Sequence, residues 1–152
     1  MQDKTNIGID AALELVQNAF VAGGLNEQSA QSVARALVMA EAEGQVGHGF
    51  SRVGDYIEQM KSGKINANAV PSVLSRSPSY LHVSADNGFA YPALEFAIDH
   101  AVQMAEATGC VAIAVSQSNH CGTLASPVEK LAMKGLIGIM VANTPAAIAP
   151  GG

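Results

Sequence analysis

The chain has 152 residues, of which 49% are hydrophobic and only 14% charged. A chain of that size and polarity buries a sizeable core, which excludes intrinsic disorder. Eight Lys and Arg against 13 Asp and Glu leave a net charge of −5 with no basic cluster, which argues against nucleic acid or a membrane surface as partner.

The first third reads as helical. Asp10 is placed to cap a helix whose apolar positions, Leu13, Val16 and Phe20, recur at steps of three and four. Gly23 and Gly24 stop it, because glycine takes the left-handed conformation at a helix end without a Cβ penalty. Asn26 opens a second helix with Ala30, Val33, Leu37 and Ala40 on one face, and Gly44 ends it. A third helix is expected from about His48 or Ser51 to about Met60, with Gly63 as its stop. Residues 64–71 form a polar connector.

From there the pattern changes. Residues 73–76 and 80–84 are short strand-type runs joined by a tight corner at Ser77, Pro78 and Ser79. Pro92 suits the first turn of a helix, where its missing N–H is not needed. That helix carries Leu94, Ile98, Ala101, Val102 and Ala105 and ends at Gly109. Residues 110–115 are apolar without alternation, which predicts a strand buried on both faces. A helix is expected from about Ser126 to Lys134, and residues 137–142 predict another buried strand. Strand, helix and strand at this spacing predict a βαβ unit. The expected division is a helical part, 1–70, and the first portion of an α/β domain, 71–152.

Cys110 and Cys121 are too few for a disulfide scaffold. The polar first residues lack an apolar signal core, and the longest apolar run, 136–142, is far too short to span a bilayer. A cytoplasmic protein is expected. The low charge count suggests a surface partly covered by something else.

Two polar groupings are candidates for chemistry. If the third helix starts near His48, then His48, Arg52 and Tyr56 share one face at i, i+4 and i+8. A guanidinium there can clamp a carboxylate, and an imidazole one turn away can exchange a proton with the adjacent carbon's substituent. Gly47 and Gly49 would allow close approach of a ligand to the backbone. The same spacing also fits a helix-start histidine and a solvated arginine. The second grouping is Ser118, Asn119, His120, Cys121 and Gly122, in the loop after the first apolar strand, where α/β proteins hold ligands. A histidine in a polar turn capping the next helix fits equally. His48, His82, His100 and His120 show no metal-ligand spacing, so no metal is expected, and no glycine-rich dinucleotide or phosphate motif is present.

The run from Ala40 through Glu43 and Gly44 to His48, Gly49, Arg52, Tyr56, Gly63 and Ile65 resembles the malate/L-lactate dehydrogenase family of the non-Rossmann kind. That family includes ureidoglycolate dehydrogenase, sulfolactate dehydrogenase and the cyclic-imine carboxylate reductases. Ser118, Asn119, His120 and Gly122 agree with it, as does the run from Gly135 and Gly138 through Asn143, Thr144 and Pro145 to Pro150–Gly152. The resemblance implies an α/β fold like that of sulfolactate dehydrogenase, with a small helical N-terminal part. It implies hydride transfer between NAD or NADP and a small 2-oxo acid, 2-hydroxy acid or cyclic imine, carried out by a homodimer. By the same resemblance, His48 and His120 are catalytic, Arg52 and Asn119 bind substrate, and Thr144 and Gly122 lie at the cofactor. Residues 88–94 look more like the imine-reductase branch. Gly47 stands where many members have serine, and no tryptophan precedes the final Gly-Gly. The family's chain is longer, so an N-terminal half is expected, incomplete at the C-terminus. The alternative is a non-catalytic binding or assembly module.

Overall fold

The computed structural model describes residues 6–143. Three helices open the chain: α1 (Ile9–Ala22), α2 (Glu27–Ala42) and α3 (Arg52–Lys61), with a short 3₁₀ turn at Val46–His48 ahead of α3. The residue at the cap of α1 is Gly8 rather than Asp10, which stands in the first turn and faces the amide end of the helix dipole from there. The reversal after α1 falls on Gly24, whose φ of +100° only glycine adopts readily. Asn26 caps α2 as expected, its side-chain oxygen accepting the Ser29 N–H at 2.9 Å.

The apolar faces of these helices form one core. Val16 and Phe20 of α1, Val33, Leu37 and Val38 of α2, and Tyr56 and Met60 of α3 are buried together. Phe89 and Tyr91, far along the chain, complete it. Phe89 meets Phe20 edge-to-face, with ring centroids 5.9 Å apart.

The second core is layered. β1 (Ser72–Ser77) and β2 (Tyr80–Ser84) pair antiparallel, and β2 pairs parallel with β3 (Ala112–Ser116) from Tyr80↔Ala112 to Ser84↔Ser116. A parallel pair needs a crossover, and α4 (Ala90–Thr108) supplies it. Leu81 and Val83 of β2 are buried with Ala93, Ala97 and Met104 of α4. The layered α/β arrangement is therefore the one expected.

The βαβ unit is β2–α4–β3, however, and not the one predicted around residues 110–142. α5 (Ala125–Ala132) forms, but residues 137–142 are not a strand. Ile137, Ile139 and Val141 are 97%, 92% and 88% exposed. A strand exists only through a neighbour that completes its hydrogen-bond ladder, and among the described residues the sheet ends at β3. For the same reason β3 is half-buried and not covered on both faces.

The cap of α2 is separable from the core it supports. Asn26→Ala should lower stability by about 1 kcal/mol, and Asn26→Asp should retain most of it. A urea midpoint for Asn26→Ala equal to that of the parent would show that the cap contributes nothing.

Candidate active site

The site lies where α3, the start of α4 and the loop after β3 meet. The loop is shaped by its ties to the neighbouring turn. Gln117 adopts a φ of +51°, and its carbonyl accepts the Asn87 N–H at 2.7 Å. Asn119 donates its side-chain amide to the carbonyls of Asn87 and Gly88, at 2.8 and 3.1 Å. Both amide hydrogens of Asn119 thus hold the loop in place, which gives this expected substrate ligand a structural use.

His120, the next residue, is exposed on one side and pinned on the other. Its Nδ1 accepts the backbone N–H of Gly122 at 3.1 Å and lies 2.9 Å from the Tyr56 hydroxyl. The Tyr56 hydroxyl lies in turn 3.2 Å from that of Tyr91. The His48 ring is tilted against the His120 ring, with centroids 5.6 Å apart. The two histidines that the sequence left 72 positions apart are therefore neighbours.

His48 reaches this place from the 3₁₀ turn, because α3 starts only at Arg52. The continuous helical face expected for His48, Arg52 and Tyr56 is thus broken after its first member. Arg52 and Tyr56 do share a face of α3. Arg52 Nε donates to the Gly47 carbonyl at 2.6 Å, and Nη1 lies 3.9 Å from the Asp55 carboxylate. The Nη1–Nη2 edge is the one a carboxylate ligand can still meet bidentately.

Of the glycines here, a Cβ on Gly47 would meet nothing within 4 Å, while Gly49 and Gly122 are each set by a close neighbour. A Cβ on Gly49 would run into Glu41, meeting its Cβ at 2.9 Å and its Cα at 3.0 Å. The Glu41 carboxylate meanwhile accepts the Phe50 N–H at 2.9 Å. Gly49 is thus required by α2, and the expectation that it admits a ligand is replaced. At Gly122, φ is +68° and a Cβ would lie 2.8 Å from the Tyr91 ring and hydroxyl. Only a glycine at 122 therefore leaves room for the Tyr91 ring. Thr144, the other expected cofactor residue, lies outside the described residues.

The electrostatics favour neutral groups. Partial burial, the charge of His48 and the charge of Arg52 all hold His120 below the usual histidine range. Burial pushes Tyr56 up despite the hydrogen bond to Tyr91, and pushes Tyr91 far above the ordinary phenol range. Burial also raises the Cys121 thiol, which makes it a poor nucleophile beside His120. No group of three or more potential metal ligands occurs among the described residues.

Sequence reasoning missed Tyr91, reading it as part of a helix start. The signal was a phenol beside Phe89 on a buried helix face, since a buried tyrosine hydroxyl needs a polar partner. Glu41 carried no such signal.

An open groove of about 1020 Å³, its mouth included, adjoins the site between α2, α4 and α5. Its lining includes Tyr91, Cys121 and Thr123 together with Arg35 and Lys130. Burial opposes ionisation of Glu95, but the Lys130 ammonium at 2.6 Å and Arg35 at 3.4 Å outweigh it and hold the carboxyl below its usual range.

Comparison with known proteins gives a consistent picture. The malate/L-lactate dehydrogenase family matches residues 7–152. The chain is 38% identical over 146 residues to a (2R)-3-sulfolactate dehydrogenase (NADP(+)) of Chromohalobacter salexigens, covering 96% of this chain and 44% of that one. It is 28% identical over 151 residues to a Δ1-pyrroline-2-carboxylate/Δ1-piperideine-2-carboxylate reductase of Pseudomonas syringae pv. tomato, covering 99% and 44%. The crystal structure of Δ1-piperideine-2-carboxylate reductase from that organism superposes with a TM-score of 0.83 at 29% identity, covering 87% of this chain and 40% of that one. The chain thus spans less than half the length of the curated relatives it matches.

A histidine held below its usual range makes folding depend on pH in a defined sense. The folded state prefers neutral His120, while the unfolded chain takes up a proton below about pH 6.5. His120 therefore contributes its stability above that pH and loses it as pH falls toward its folded value. The thermal midpoint should decline below about pH 6.5, and decline less in His120→Gln. Parallel declines in both proteins would remove His120 as the cause.

Proposed function

The chain belongs to the malate/L-lactate dehydrogenase family, and on that premise we propose that its site serves NAD(P)-dependent hydride transfer to or from a small 2-oxo acid, 2-hydroxy acid or cyclic imine carboxylate. The observation that carries this reading is the pairing of His48 and His120, 5.6 Å apart, beside the Arg52 guanidinium. Carbonyl and imine reduction need a fixed carboxylate, a hydrogen-bond donor at the reacting oxygen or nitrogen, and a group that exchanges a proton. Arg52 supplies the first, and the two imidazoles supply the others. The relatives' names support the substrate class: sulfolactate, pyrroline-2-carboxylate and piperideine-2-carboxylate each carry a carboxylate next to the reacting carbon.

We assign the nicotinamide to the groove beside the site, whose lining combines apolar Met39, Leu94, Ile98 and Pro127 with Tyr91 and Cys121. A bound nicotinamide supplies or takes the hydride. Arg35 and Lys130 are the cations within reach of a phosphate there, while Thr144 and Gly122 are proposed cofactor contacts by resemblance alone. Asn119 is proposed to act on substrate through the placement of His120.

We read the protein as a cytoplasmic homodimer. The unpaired thiols of Cys110 and Cys121 suit a reducing compartment, and the uncovered Ile137, Ile139 and Val141 suit a covering surface. None of the described helices is long and apolar enough to cross a membrane. A second reading, a non-catalytic binding or assembly module, is favoured by that same uncovered run.

The two readings separate by direct assay. A protein that carries this chain at the relatives' full length is mixed with NADH or NADPH and with pyruvate, oxaloacetate or Δ1-piperideine-2-carboxylate, and coenzyme oxidation is followed. Arg52→Ala should lower kcat/KM by roughly 30- to 150-fold, equivalent to about 2–3 kcal/mol of lost carboxylate binding. A loss of only a few-fold removes Arg52 as the clamp. Absence of coenzyme binding even when the remaining length of the relatives is supplied favours the assembly module, and binding restored by it favours the reductase.

A further inference from the structure

The hydrogen bonds at His120 Nδ1 fix more than the orientation of the ring. A backbone N–H can only donate, so the Gly122 amide at 3.1 Å requires an unprotonated Nδ1. The Tyr56 hydroxyl, 2.9 Å from the same nitrogen, must then donate as well. Its oxygen is left to accept, and the Tyr91 hydroxyl at 3.2 Å is the donor it meets. One backbone amide thus sets the direction of the whole chain, from Tyr91 to Tyr56 to His120. Tyr56 and Tyr91 are 3% and 7% exposed, so bulk water is a poor substitute for either partner. Gly122 has a second part in this, since only a glycine there leaves room for the Tyr91 phenol.

We propose that Tyr56 and Tyr91 are positioning residues that hold His120 as the neutral imidazole with its proton on Nε2, so that His120 donates a hydrogen bond to the reacting carbonyl oxygen or imine nitrogen while His48 exchanges the proton. The division of labour rests on the reductase reading above. Reduction of a 2-oxo acid adds a hydride to carbon and a proton to oxygen. Were Nε2 to surrender its proton, His120 would become an imidazolate, and its rescue through Nδ1 would leave a tyrosinate on a buried phenol. Burial makes that anion costly. His120 therefore polarises the C=O bond and keeps its proton. The proton that completes the hydroxyl leaves the imidazolium of His48, which returns to the neutral ring. In the oxidative direction His48 takes the proton back. The groups facing His120 are His48 from the 3₁₀ turn, Arg52 and Tyr56 from α3, Tyr91 from α4, and Cys121 beside it. The carboxylate on the same helix, Asp55, lies 3.9 Å from Arg52 Nη1 and is not among the groups that act on His120.

The ¹⁵N shifts of histidine rings report the tautomer directly, in the chain as it stands and without turnover. His120 is assigned by its loss in His120→Gln, with His82 and His100, held by Ser116 and the Phe96 carbonyl, as internal references. His120 should show only the Nε2–H form. Tyr56→Phe, which keeps the ring and removes the donor, should raise the His120 titration midpoint by at least about half a pH unit. Tyr91→Phe should raise it by less. A measurable Nδ1–H population in the parent chain, or an unchanged midpoint in Tyr56→Phe with both reference histidines unmoved, would overturn the lock. In the reductase assay the protonation step in the pH profile of kcat/KM should persist in His120→Gln and vanish in His48→Gln. The reverse pattern overturns the division of labour. Absence of reductase activity at the relatives' full length counts against the function, while the ring shifts still decide the lock.

Discussion

The first turn of α4 holds this structure together. Phe89 and Tyr91 are buried among α1, α2 and α3, while Ala93, Ala97 and Met104 of the same helix are buried against Leu81 and Val83 of the sheet. A helix is stiff over this length, so two cores that share it cannot shift independently. The edge-to-face contact of Phe89 with Phe20 anchors one end. The site forms at that junction, where the Tyr91 hydroxyl, Tyr56 from the helical core and His120 from the loop after β3 come within hydrogen-bond distance. Positions drawn from three elements are fixed because the elements themselves are fixed.

Close approach is the second constraint. Gly49 lies against Glu41, Gly122 against Tyr91, and Gly88 against Ala69 and the Ala85 carbonyl. Each glycine removes a Cβ where two segments must pass within van der Waals reach. Gly122 links both constraints, because it leaves space for a phenol and donates its amide to the histidine. The neutral character of the site follows. Partial burial of His120, followed by His48 and Arg52 beside it, opposes a charged ring, and burial likewise keeps Tyr56 and Tyr91 as phenols.

Much of the fold was legible in the residues. The apolar period of α1 and α2, the cap at Asn26, the corner at Ser77–Tyr80 and the glycine stops at Gly44, Gly63, Gly109 and Gly135 are local signals, and each φ there is positive as a left-handed stop requires. The strand predicted at 137–142 failed because an apolar run states only that burial is favourable, not which edge will provide the ladder. Asp10 was displaced as cap because the helix starts two residues earlier than expected, with Gly8 at the cap. Of the candidate site, His48, Arg52, Tyr56 and His120 were all visible as residue types at suggestive spacing. Tyr91 and Glu41 were not, since their partners lie 35 and nine positions away.

The sequence by itself determined the helices, the hairpin, the family and a short roster of imidazoles and a guanidinium, because those depend on local periodicity, turn chemistry and residue type. Only the tertiary structure decided which crossover makes the βαβ unit, that His48 stands beside His120, and which groups meet Nδ1 of His120. Those depend on hydrogen bonds and contacts between residues distant in the chain, and such pairings leave no periodic trace in a single sequence.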